Sequence, residues 1–204
     1  MPTEIELKYA VSAGSVEALR QAERIGGFLL GPGDDIQVHD VYADTVDRAI
    51  ASAGFAFRIR HRGSERLVCL KSIGRGEGVA HSREEYECSI GLADSAVDWP
   101  EGETRDRFLE ITGGRAIRTE VEIHQTRFKR FLSSSQGRVA EVSLDEVSLT
   151  AGEGRHTFFE LELEVLSDEL LDHLEALHAE LMAAYDLQPV ETSKFERAMG
   201  MVDS

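Results

Sequence analysis

Several residue types that often define a protein class are scarce or missing in this chain of 204 residues. It has no asparagine, which excludes an N-glycosylation sequon. Its two cysteines, Cys69 and Cys88, lie in strand-like segments without CxxC or Cys/His metal spacing. We therefore expect free thiols and no disulfide. The seven histidines show no ligand spacing along the chain, so we interpret each as structural or surface-exposed.

Long apolar runs are also missing. No stretch is long and apolar enough to span a membrane, and the N-terminus opens directly into a strand pattern without a signal-peptide core. These absences predict a soluble, cytoplasmic protein with no membrane partner. The length suits one domain with a sizeable core, or one domain plus a small appendage, and we predict a single domain over residues 1–204.

Positive charge is scarce relative to negative charge. The chain has 22 Lys and Arg against 38 Asp and Glu, which gives a formal net charge of −16. Such an acidic protein repels nucleic acid and anionic membranes, so we expect no nucleic-acid partner. An anionic ligand must instead be bound locally, by basic residues that are unevenly distributed along the chain.

A common phosphate-binding motif is absent as well. The run Gly74-Arg75-Gly76-Glu77-Gly78 resembles a phosphate-binding loop, but no helix pattern follows it. The chain also lacks the motif GxxxxGK followed by Ser or Thr. We therefore predict that this run is a flexible connection between strands.

The chain does contain a recurring alternation of charged and apolar residues. In the first predicted strand, Glu4, Glu6 and Lys8 share one face and apolar residues occupy the other. The segment Phe159–Val165 repeats this pattern with three glutamates. Alternation of this kind predicts strands at about 4–9, 36–44, 55–60, 67–72, 82–90, 124–132, 139–149 and 156–166.

Helical spacing predicts helices between and after these strands, at about 15–26, 45–52, 104–111, 167–185 and 192–201. Gly26-Gly27 is interpreted as the end of the first helix. Residues 94–114, which hold the only tryptophan, are interpreted as an insertion between strands rather than a second domain.

The leucine stripe of the fourth helix indicates which face of the sheet points inward. Leu170, Leu174, Leu177 and Leu181 need an apolar surface to cover. If this helix packs outside the apolar face, the charged face must line the interior. We therefore predict an α+β fold: an eight-stranded antiparallel β-barrel, or tunnel, with a charged lumen and helices packed outside.

The predicted lumen combines two sets of charges. The basic set is Lys8, Arg58, Arg60, Lys71, Arg83, Arg127 and Lys129. The acidic set is Glu4, Glu6, Glu85, Glu87, Glu141, Asp145, Glu160, Glu162 and Glu164. Enclosed charges are costly unless they are paired, so salt bridges are one interpretation. The other is that the cations bind a polyphosphate and the carboxylates bind its divalent metal.

The spacing of the carboxylates is compatible with a hard metal ion. Residues two apart on a strand lie roughly 6 to 7 Å apart, so Glu4 with Glu6, or Glu160 with Glu162, can reach one cation. Mg²⁺ or Mn²⁺ fits these ligands best, because zinc would usually recruit His or Cys.

These residues resemble the CYTH domain of the triphosphate tunnel metalloenzyme superfamily. Glu4-Ile5-Glu6-Leu7-Lys8 is similar to its ExExK signature. Further similar motifs follow in the family's order over nearly the whole chain: Asp40-Val41-Tyr42-Ala43-Asp44-Thr45, Phe57-Arg58-Ile59-Arg60, Leu70-Lys71, Arg83-Glu84-Glu85, Ser143-Leu144-Asp145, Glu160-Leu161-Glu162-Leu163-Glu164 and Ser193-Lys194.

The resemblance implies a tunnel that binds triphosphate substrates and, in most members, cleaves them with a divalent metal. It implies phosphate ligands at Lys8, Arg58, Arg60, Lys71, Arg83, Arg127, Lys129 and, on a C-terminal helix that closes one end, Lys194. It implies metal placement by Glu4, Glu6, Asp145, Glu160, Glu162 and Glu164. The chain looks most like bacterial inorganic triphosphatases, without the helical histidine-rich domain that longer members append.

We therefore expect a hydrolase that cleaves inorganic triphosphate to pyrophosphate and phosphate, with Mg²⁺ or Mn²⁺. Its expected catalytic residues are Glu4, Glu6, Lys8 and Glu85. Glu87 is an alternative to Glu85 for orienting the attacking water.

Several alternatives stay open at this point. A thiamine triphosphatase or a class IV-type adenylate cyclase would need a stacking site, and we assign no aromatic pair to the lumen, although Tyr42 and Trp99 are candidates. A non-catalytic polyphosphate or nucleotide sensor is an alternative from another class. Phe128 and Arg130 could face inward in place of Arg127 and Lys129. A monomer and a homodimer are both compatible with the sequence.

Overall fold

The computed structural model describes residues 3–73, 81–151 and 154–202. Within these ranges it has eleven strands: β1 (Thr3–Val11), β2 (Arg24–Ile25), β3 (Phe28–Leu30), β4 (Asp34–Thr45), β5 (Phe55–Arg62), β6 (Glu65–Ser72), β7 (His81–Ser89), β8 (Ile117–Ser133), β9 (Arg138–Ala151), β10 (Gly154–Val165) and β11 (Leu187–Pro189). The described α-helices are α1 (Ala13–Gln21), α2 (Ala49–Ser52), α3 (Glu103–Thr112), α4 (Leu174–Ala184) and α5 (Lys194–Val202).

All described strand pairs are antiparallel. Eight strands, which we call the main sheet, follow the order β8-β4-β5-β6-β7-β1-β10-β9, and β9 pairs in addition with β8. Each strand of the main sheet therefore has a paired neighbour on both edges. The β2–β3 hairpin extends from β8, and β11 pairs with β1. The predicted antiparallel α+β class is confirmed.

One face of the main sheet is apolar and is covered by helices. Leu7 of β1 and Leu161 and Leu163 of β10 are buried there in one cluster with Leu177 and Leu181 of α4. Full burial of a leucine side chain stabilises the fold by about 1.5 to 3 kcal/mol relative to exposure. Because residues alternate along a strand, the charged neighbours of these leucines point to the opposite face.

The segment 94–114 covers another part of the apolar face. Trp99, which precedes α3, and Phe108 of α3 pack on Phe57 of β5, with ring centroids 6.0 Å and 4.7 Å from the Phe57 ring. These rings belong to a second core cluster that also includes Val68 and Leu70 of β6. Trp99 is therefore a core residue and does not reach the charged face.

Two glycines have a different role from the predicted one. The first helix ends at Gln21, and Gly26-Gly27 form the turn between β2 and β3 instead of ending the helix. Both have positive φ, 58° and 80°, a conformation that glycine adopts without steric cost. A Cβ at Gly26 would also collide with Cδ1 of Leu177, because α4 lies directly against this turn.

The predicted helix at 167–185 is divided into two parts. Asp168–His173 forms a 3₁₀ turn, which Ser167 caps by accepting a hydrogen bond from the Glu169 amide, and α4 follows it. The predicted connection at 74–78 lies outside the described residues. In the part of the chain that the structure describes, no helix combines the length and apolar character needed to cross a membrane.

Candidate active site

Side chains from all eight strands of the main sheet line a cavity of about 550 Å³. They belong to the face opposite the leucine-covered one, because neighbouring residues on a strand point in opposite directions. Ser193, Lys194 and Phe195 also line the cavity, where α5 begins. The cavity is therefore walled by strands and bounded in part by the start of α5.

The cavity concentrates positive charge in an otherwise acidic protein. Its described lining includes eight carboxylates and eight basic side chains, although acidic residues outnumber basic ones in the whole chain. All four lysines of the chain are among them: Lys8, Lys71, Lys129 and Lys194. Lysine is almost never enclosed unless it is paired, so each of these side chains requires an anionic partner close by.

Lys71 is the centre of one charge cluster. Its Nζ contacts Oε2 of Glu4 and lies 3.7 Å from both Oε1 of Glu6 and Oε2 of Glu85. Burial raises the pKa of Glu4; Lys71 opposes this rise, and Glu6 and Glu85 add to it. Burial acts in the same direction on the pKa of Glu85, but Lys71 and Arg58 outweigh it and lower that pKa. Three carboxylates thus surround the single ammonium group of Lys71.

Lys8 connects this cluster to a second one. Its Nζ lies 3.2 Å from Oε1 of Glu6 and 4.0 Å from Oε1 of Glu162. Arg127 donates two hydrogen bonds to Asp145, of 2.8 and 2.7 Å, and one of 2.7 Å to Glu162. Bonds of this charge-assisted kind are roughly twice as strong as neutral ones, so they orient Arg127 firmly.

Lys194, the first residue of α5, has three carboxylate partners. Its Nζ lies 2.7 Å from Glu160, 2.7 Å from Glu162 and 3.0 Å from Asp145. Burial acts to lower the pKa of Lys194, but the three carboxylates raise it well above its ordinary value. Asp145 and Glu160 pair across β9 and β10, are fully buried, and do not line the cavity. Their contacts hold Lys194 and Arg127 in place.

Two arginines of β5, Arg58 and Arg60, differ in the hydrogen bonds that their guanidinium groups make within the protein. Arg60 donates two hydrogen bonds of 2.7 Å to the carboxylate of Asp40. Burial acts to raise the pKa of Asp40, but Arg60 lowers it to about 2. Arg58 lies 3.7 Å from Glu85, and its buried Nε has no hydrogen-bond partner among the described residues. Since buried donors are nearly always paired, Arg58 is suited to donate to a bound anion.

Three glutamates form a row across neighbouring strands. Glu6 of β1 is directly opposite Glu164 of β10, which is directly opposite Glu141 of β9. Burial raises the pKa of Glu164, and Glu141 and Glu85 add to the rise. Like charges in opposed positions destabilise a sheet, and adjacent carboxylates are typical ligands of hard divalent cations. The row therefore offers the type of oxygen ligand that a hard divalent cation prefers.

The structure brings most of the predicted site residues to the cavity: Glu4, Glu6, Lys8, Arg58, Arg60, Lys71, Glu85, Arg127, Lys129, Glu162, Glu164 and Lys194. Asp145 and Glu160 lie behind Lys194 instead. The side chain of Arg83 lies outside the described residues, although its backbone pairs with Glu4.

The structure decides between the two orientations that the sequence allowed for residues 127–130. Arg127 and Lys129 line the cavity, and Lys129 forms an ion pair with Glu141. Arg130 lies on the opposite face, where it donates hydrogen bonds to backbone carbonyls such as that of Gly31. Phe128 shares that face, because it belongs to the leucine-rich core cluster.

One prediction about the cavity is wrong: it does contain an aromatic pair. Tyr42 and Phe195 both line it and stack with ring centroids 4.7 Å apart. The sequence pattern could not show this pair, because α5 brings Phe195 beside β4 only in the folded chain.

Two further cavity-side residues were missed. Asp40 falls in the inward phase of the predicted strand at 36–44, so the alternation could have identified it as the partner of Arg60. Cys69 also lines the cavity and donates a hydrogen bond of 2.9 Å from its thiol to Glu85. Burial raises the pKa of Cys69, which favours the protonated thiol that donates to Glu85. The donor atoms of Cys69, Glu85 and Glu87 lie within 4.8 Å of one another.

The chain is similar to several known proteins. An inorganic triphosphatase of Haemophilus influenzae is 26% identical over 182 residues, which are 87% of this chain and 50% of that protein. The chain thus spans about half the length of this relative. Two solved structures share its fold.

The first is a putative adenylyl cyclase from Hippeastrum, described as having a dominant triphosphatase activity, with 21% identity, a TM-score of 0.66 and coverage of 97% of this chain and 95% of that chain. The second is a putative adenylate cyclase from Bacillus halodurans, with 22% identity, a TM-score of 0.63 and coverage of 97% and 98%. The model of the CYTH domain family matches residues 2–199. This match covers nearly all of the chain, which therefore belongs to the CYTH domain family.

Proposed function

We propose that this protein is a divalent-metal-dependent triphosphatase that cleaves inorganic triphosphate to pyrophosphate and phosphate. In this proposal the main sheet closes as an eight-stranded tunnel around the cavity, and the reaction takes place inside it. The triphosphatase relative from H. influenzae and the triphosphatase activity described for the Hippeastrum protein support this reaction class.

The observation that carries the proposal is the convergence of enclosed cations on one volume. Lys8, Arg58, Lys71 and Arg127 come from four different strands and line the same cavity. Each of these cations is paired with a carboxylate, and the oxygens of a triphosphate are hydrogen-bond acceptors of the same kind. A balanced set of charges is also what a triphosphate needs when it enters together with divalent cations, because that complex carries little net charge.

We assign the metal to the carboxylates of the glutamate row and their neighbours. Glu6 and Glu164, with Glu4 and Glu162 beside them and Glu141 at the end of the row, would hold Mg²⁺ or Mn²⁺. When bound, the metal would neutralise charge on the phosphate oxygens and lower the pKa of a water molecule. Asp145 and Glu160, which were also predicted as metal ligands, would instead position Lys194 and Arg127.

The remaining roles follow from the contacts of each basic residue. Lys8, Arg58, Lys71 and Arg127 would bind the non-bridging phosphate oxygens, and Arg60 would do so from an orientation that Asp40 fixes. Arg83, Lys129 and Lys194 stay predicted phosphate ligands. Phosphoryl transfer needs mainly positioning and charge neutralisation, which is what a preoriented set of cations supplies.

Glu85 would orient the attacking water. Glu4, Glu6 and Lys8 are the other proposed catalytic residues. The lowered pKa of Glu85 keeps it ionised, so it accepts a hydrogen bond from water at neutral pH. Glu87 lines the same cavity and is the alternative.

The aromatic pair favours a second candidate, a triphosphate with an organic group, as in thiamine triphosphate or ATP. Tyr42 and Phe195 could in principle stack with a ring of the substrate. However, they stack on each other and are only 6% and 8% exposed, so they offer little ring surface to a ligand. The inorganic substrate is therefore the first choice.

A phosphate-release assay tests the substrate. We expect tripolyphosphate to be hydrolysed at least about tenfold more efficiently than thiamine triphosphate or ATP with Mg²⁺ or Mn²⁺. A preference of the same size for either organic substrate would overturn this choice. Tight binding of tripolyphosphate in calorimetry without turnover under either metal would instead indicate the non-catalytic sensor.

A further inference from the structure

Three of the seven histidines lie side by side on the outer face of the main sheet. His39 of β4 is directly opposite His61 of β5 on one side and His124 of β8 on the other. Asp40 and Arg60, their neighbours in sequence, form the buried ion pair of the opposite face. Because strand residues alternate, this histidine row points away from the cavity.

The side chains of the histidine row are in contact. The ring of His39 stacks on that of His124, with centroids 4.2 Å apart and an angle of 8°, and on that of His61, with centroids 5.5 Å apart. Nε2 of His39 lies 2.8 Å from Oε2 of Glu122. Donor atoms of His39, Glu122 and His124 all lie within 4.8 Å of one another. Two imidazoles and a carboxylate are a common ligand set for zinc.

Strand pairing holds these side chains close together without a bound metal. Directly opposite residues of antiparallel strands have Cβ atoms about 4.5 to 5.5 Å apart, so only side-chain rotation is needed to adjust the donor atoms. Ligands of a tetrahedral zinc ion lie roughly 3.3 Å from one another, given bonds of about 2.0 Å. His124 and Glu122 are exposed and His39 is partly exposed, so an ion can reach them from solvent.

The charges around the histidine row are compatible with a bound cation. Glu122 supplies a negative charge. Arg66 of β6 is opposite His61, but its guanidinium is paired with Asp94 at 3.1 Å.

We propose that His39, His124 and Glu122 form a second metal site, on the outside of the protein, that binds Zn²⁺. His61 is the nearest further imidazole for the fourth position. The carboxylates of the cavity suit hard ions, whereas imidazole suits zinc, so the two sites differ in metal preference. A bound ion would link β4 to β8, and to β5 when His61 takes part, and would stabilise this part of the main sheet.

Calorimetric titration of the full chain with Zn²⁺, in the presence of excess Mg²⁺ to occupy the hard-ligand sites, tests the proposal. We expect one Zn²⁺ per chain, and a rise in Kd of at least about tenfold in the double variant H39A/H124A. H156A removes another exposed histidine, on β10, and should bind Zn²⁺ like the wild type. Binding should weaken as the pH falls, because ligand imidazoles must be deprotonated.

Thermal denaturation gives a second readout that does not depend on activity. Zn²⁺ should raise the Tm of the wild type and of H156A but not that of H39A/H124A. E122Q keeps both imidazoles and should give an intermediate Kd, which guards against a folding defect in the double variant. Hydrolysis of tripolyphosphate with Mg²⁺ should be unchanged in H39A/H124A, so this test is separate from that of the proposed function.

Two results would overturn the proposal. One is wild-type Zn²⁺ affinity in a folded H39A/H124A variant. The other is loss of Zn²⁺ binding in E6Q/E164Q, in which the histidine row is intact, because this would place the ion in the cavity.

Discussion

Each enclosed cation of the cavity is paired with carboxylates, most of which lie on other strands, and this pairing determines the effect of single substitutions. The pairing keeps the basic groups charged and orients them in advance of an anion. Arg60 shows the arrangement most completely, because buried Asp40 accepts two parallel hydrogen bonds from it. Arg58 lies 3.7 Å from Glu85, and its buried Nε has no hydrogen-bond partner among the described residues, so this group is available to a ligand.

We expect Arg58→Ala to raise the KM for tripolyphosphate about tenfold or more and to lower kcat, because a charged donor to phosphate is lost. Arg62→Ala is the matched control. Arg62 lines the cavity too but is partly exposed and paired with Glu65, so its removal should change kcat/KM less than about threefold. Steady-state kinetics with Mg²⁺ measures both variants. Equal losses in the two would contradict the role assigned to Arg58.

Asp40 should make the stability of the protein dependent on pH. Arg60 lowers its pKa from the ordinary 3.8 to about 2 in the folded state. A lowered pKa stabilises the fold above the unfolded pKa, and this contribution, about 2 kcal/mol, is lost as the pH falls from about 4 to about 2. We expect Asp40→Asn to be less stable than the wild type at pH 7.

Urea denaturation of both proteins at several pH values measures this effect. The difference in unfolding free energy between wild type and Asp40→Asn should narrow between about pH 4 and about pH 2. A difference that stays constant over this range would show that the Asp40–Arg60 pair does not titrate as described.

Among the elements, α5 is attached to the sheet through charge as well as apolar packing. Lys194 contributes the charge, and Phe195 and Ala198 contribute to an apolar cluster with Tyr42. Without Lys194, the buried Asp145 and Glu160 and the partly buried Glu162 would lose their common cation. The start of α5 therefore depends on an ion cluster whose other members lie on β9 and β10.

We expect Lys194→Met to lower the free energy of unfolding by about 3 to 5 kcal/mol, the usual cost of leaving buried charge unpaired. Adding Glu160→Gln should restore part of this loss, because Glu160, which would keep only the contact of 3.5 Å with Arg197, becomes neutral. Urea denaturation measures both. Wild-type stability in the single variant would contradict the ion cluster.

The β2–β3 turn offers a second test at this scale. Gly26→Ala should be more destabilising than Gly27→Ala by about 1 to 3 kcal/mol, because both need positive φ but only Gly26 is pressed against Leu177. Gly27 has open space at its Cβ position, so it reports the backbone cost alone. Thermal denaturation compares the two, and equal losses would mean that α4 does not pack on this turn.

For the whole molecule, the separation of charge is the dominant feature. The net charge of −16 lies outside the cavity, whose described lining is balanced. In the proposed reaction, a triphosphate would therefore enter a local region of low net charge inside an anionic protein. Metal and triphosphate should help each other to bind, because each neutralises charge that the other brings.

We expect Mg²⁺ and a non-hydrolysable triphosphate analogue together to raise the Tm by more than the sum of their separate effects. In E6Q/E164Q the effect of Mg²⁺ and the cooperative part should be lost, while the analogue alone should still bind to the basic residues. Additive shifts in the wild type would contradict a shared site.

Much of the fold was predictable because it depends on local periodicity. The alternation along each strand identified all eight strands of the main sheet and most of the residues that line the cavity. The strands β2, β3 and β11 were missed, since segments of two or three residues form only where a longer strand is available for pairing. Gly26-Gly27 was interpreted as the end of the first helix because the two short strands that flank it, β2 and β3, were not predicted.

The sequence alone decided which side chains face the same way, because the side-chain period of a strand is two wherever the strand lies. It also carried the motifs by which the chain was assigned to the CYTH domain family. Only the tertiary structure decided which of these charges meet, because their partners come from strands that are distant along the chain. It placed Asp145 and Glu160 behind Lys194, Asp40 on Arg60, and three scattered histidines in one row, since register between strands is set by packing over the whole sheet.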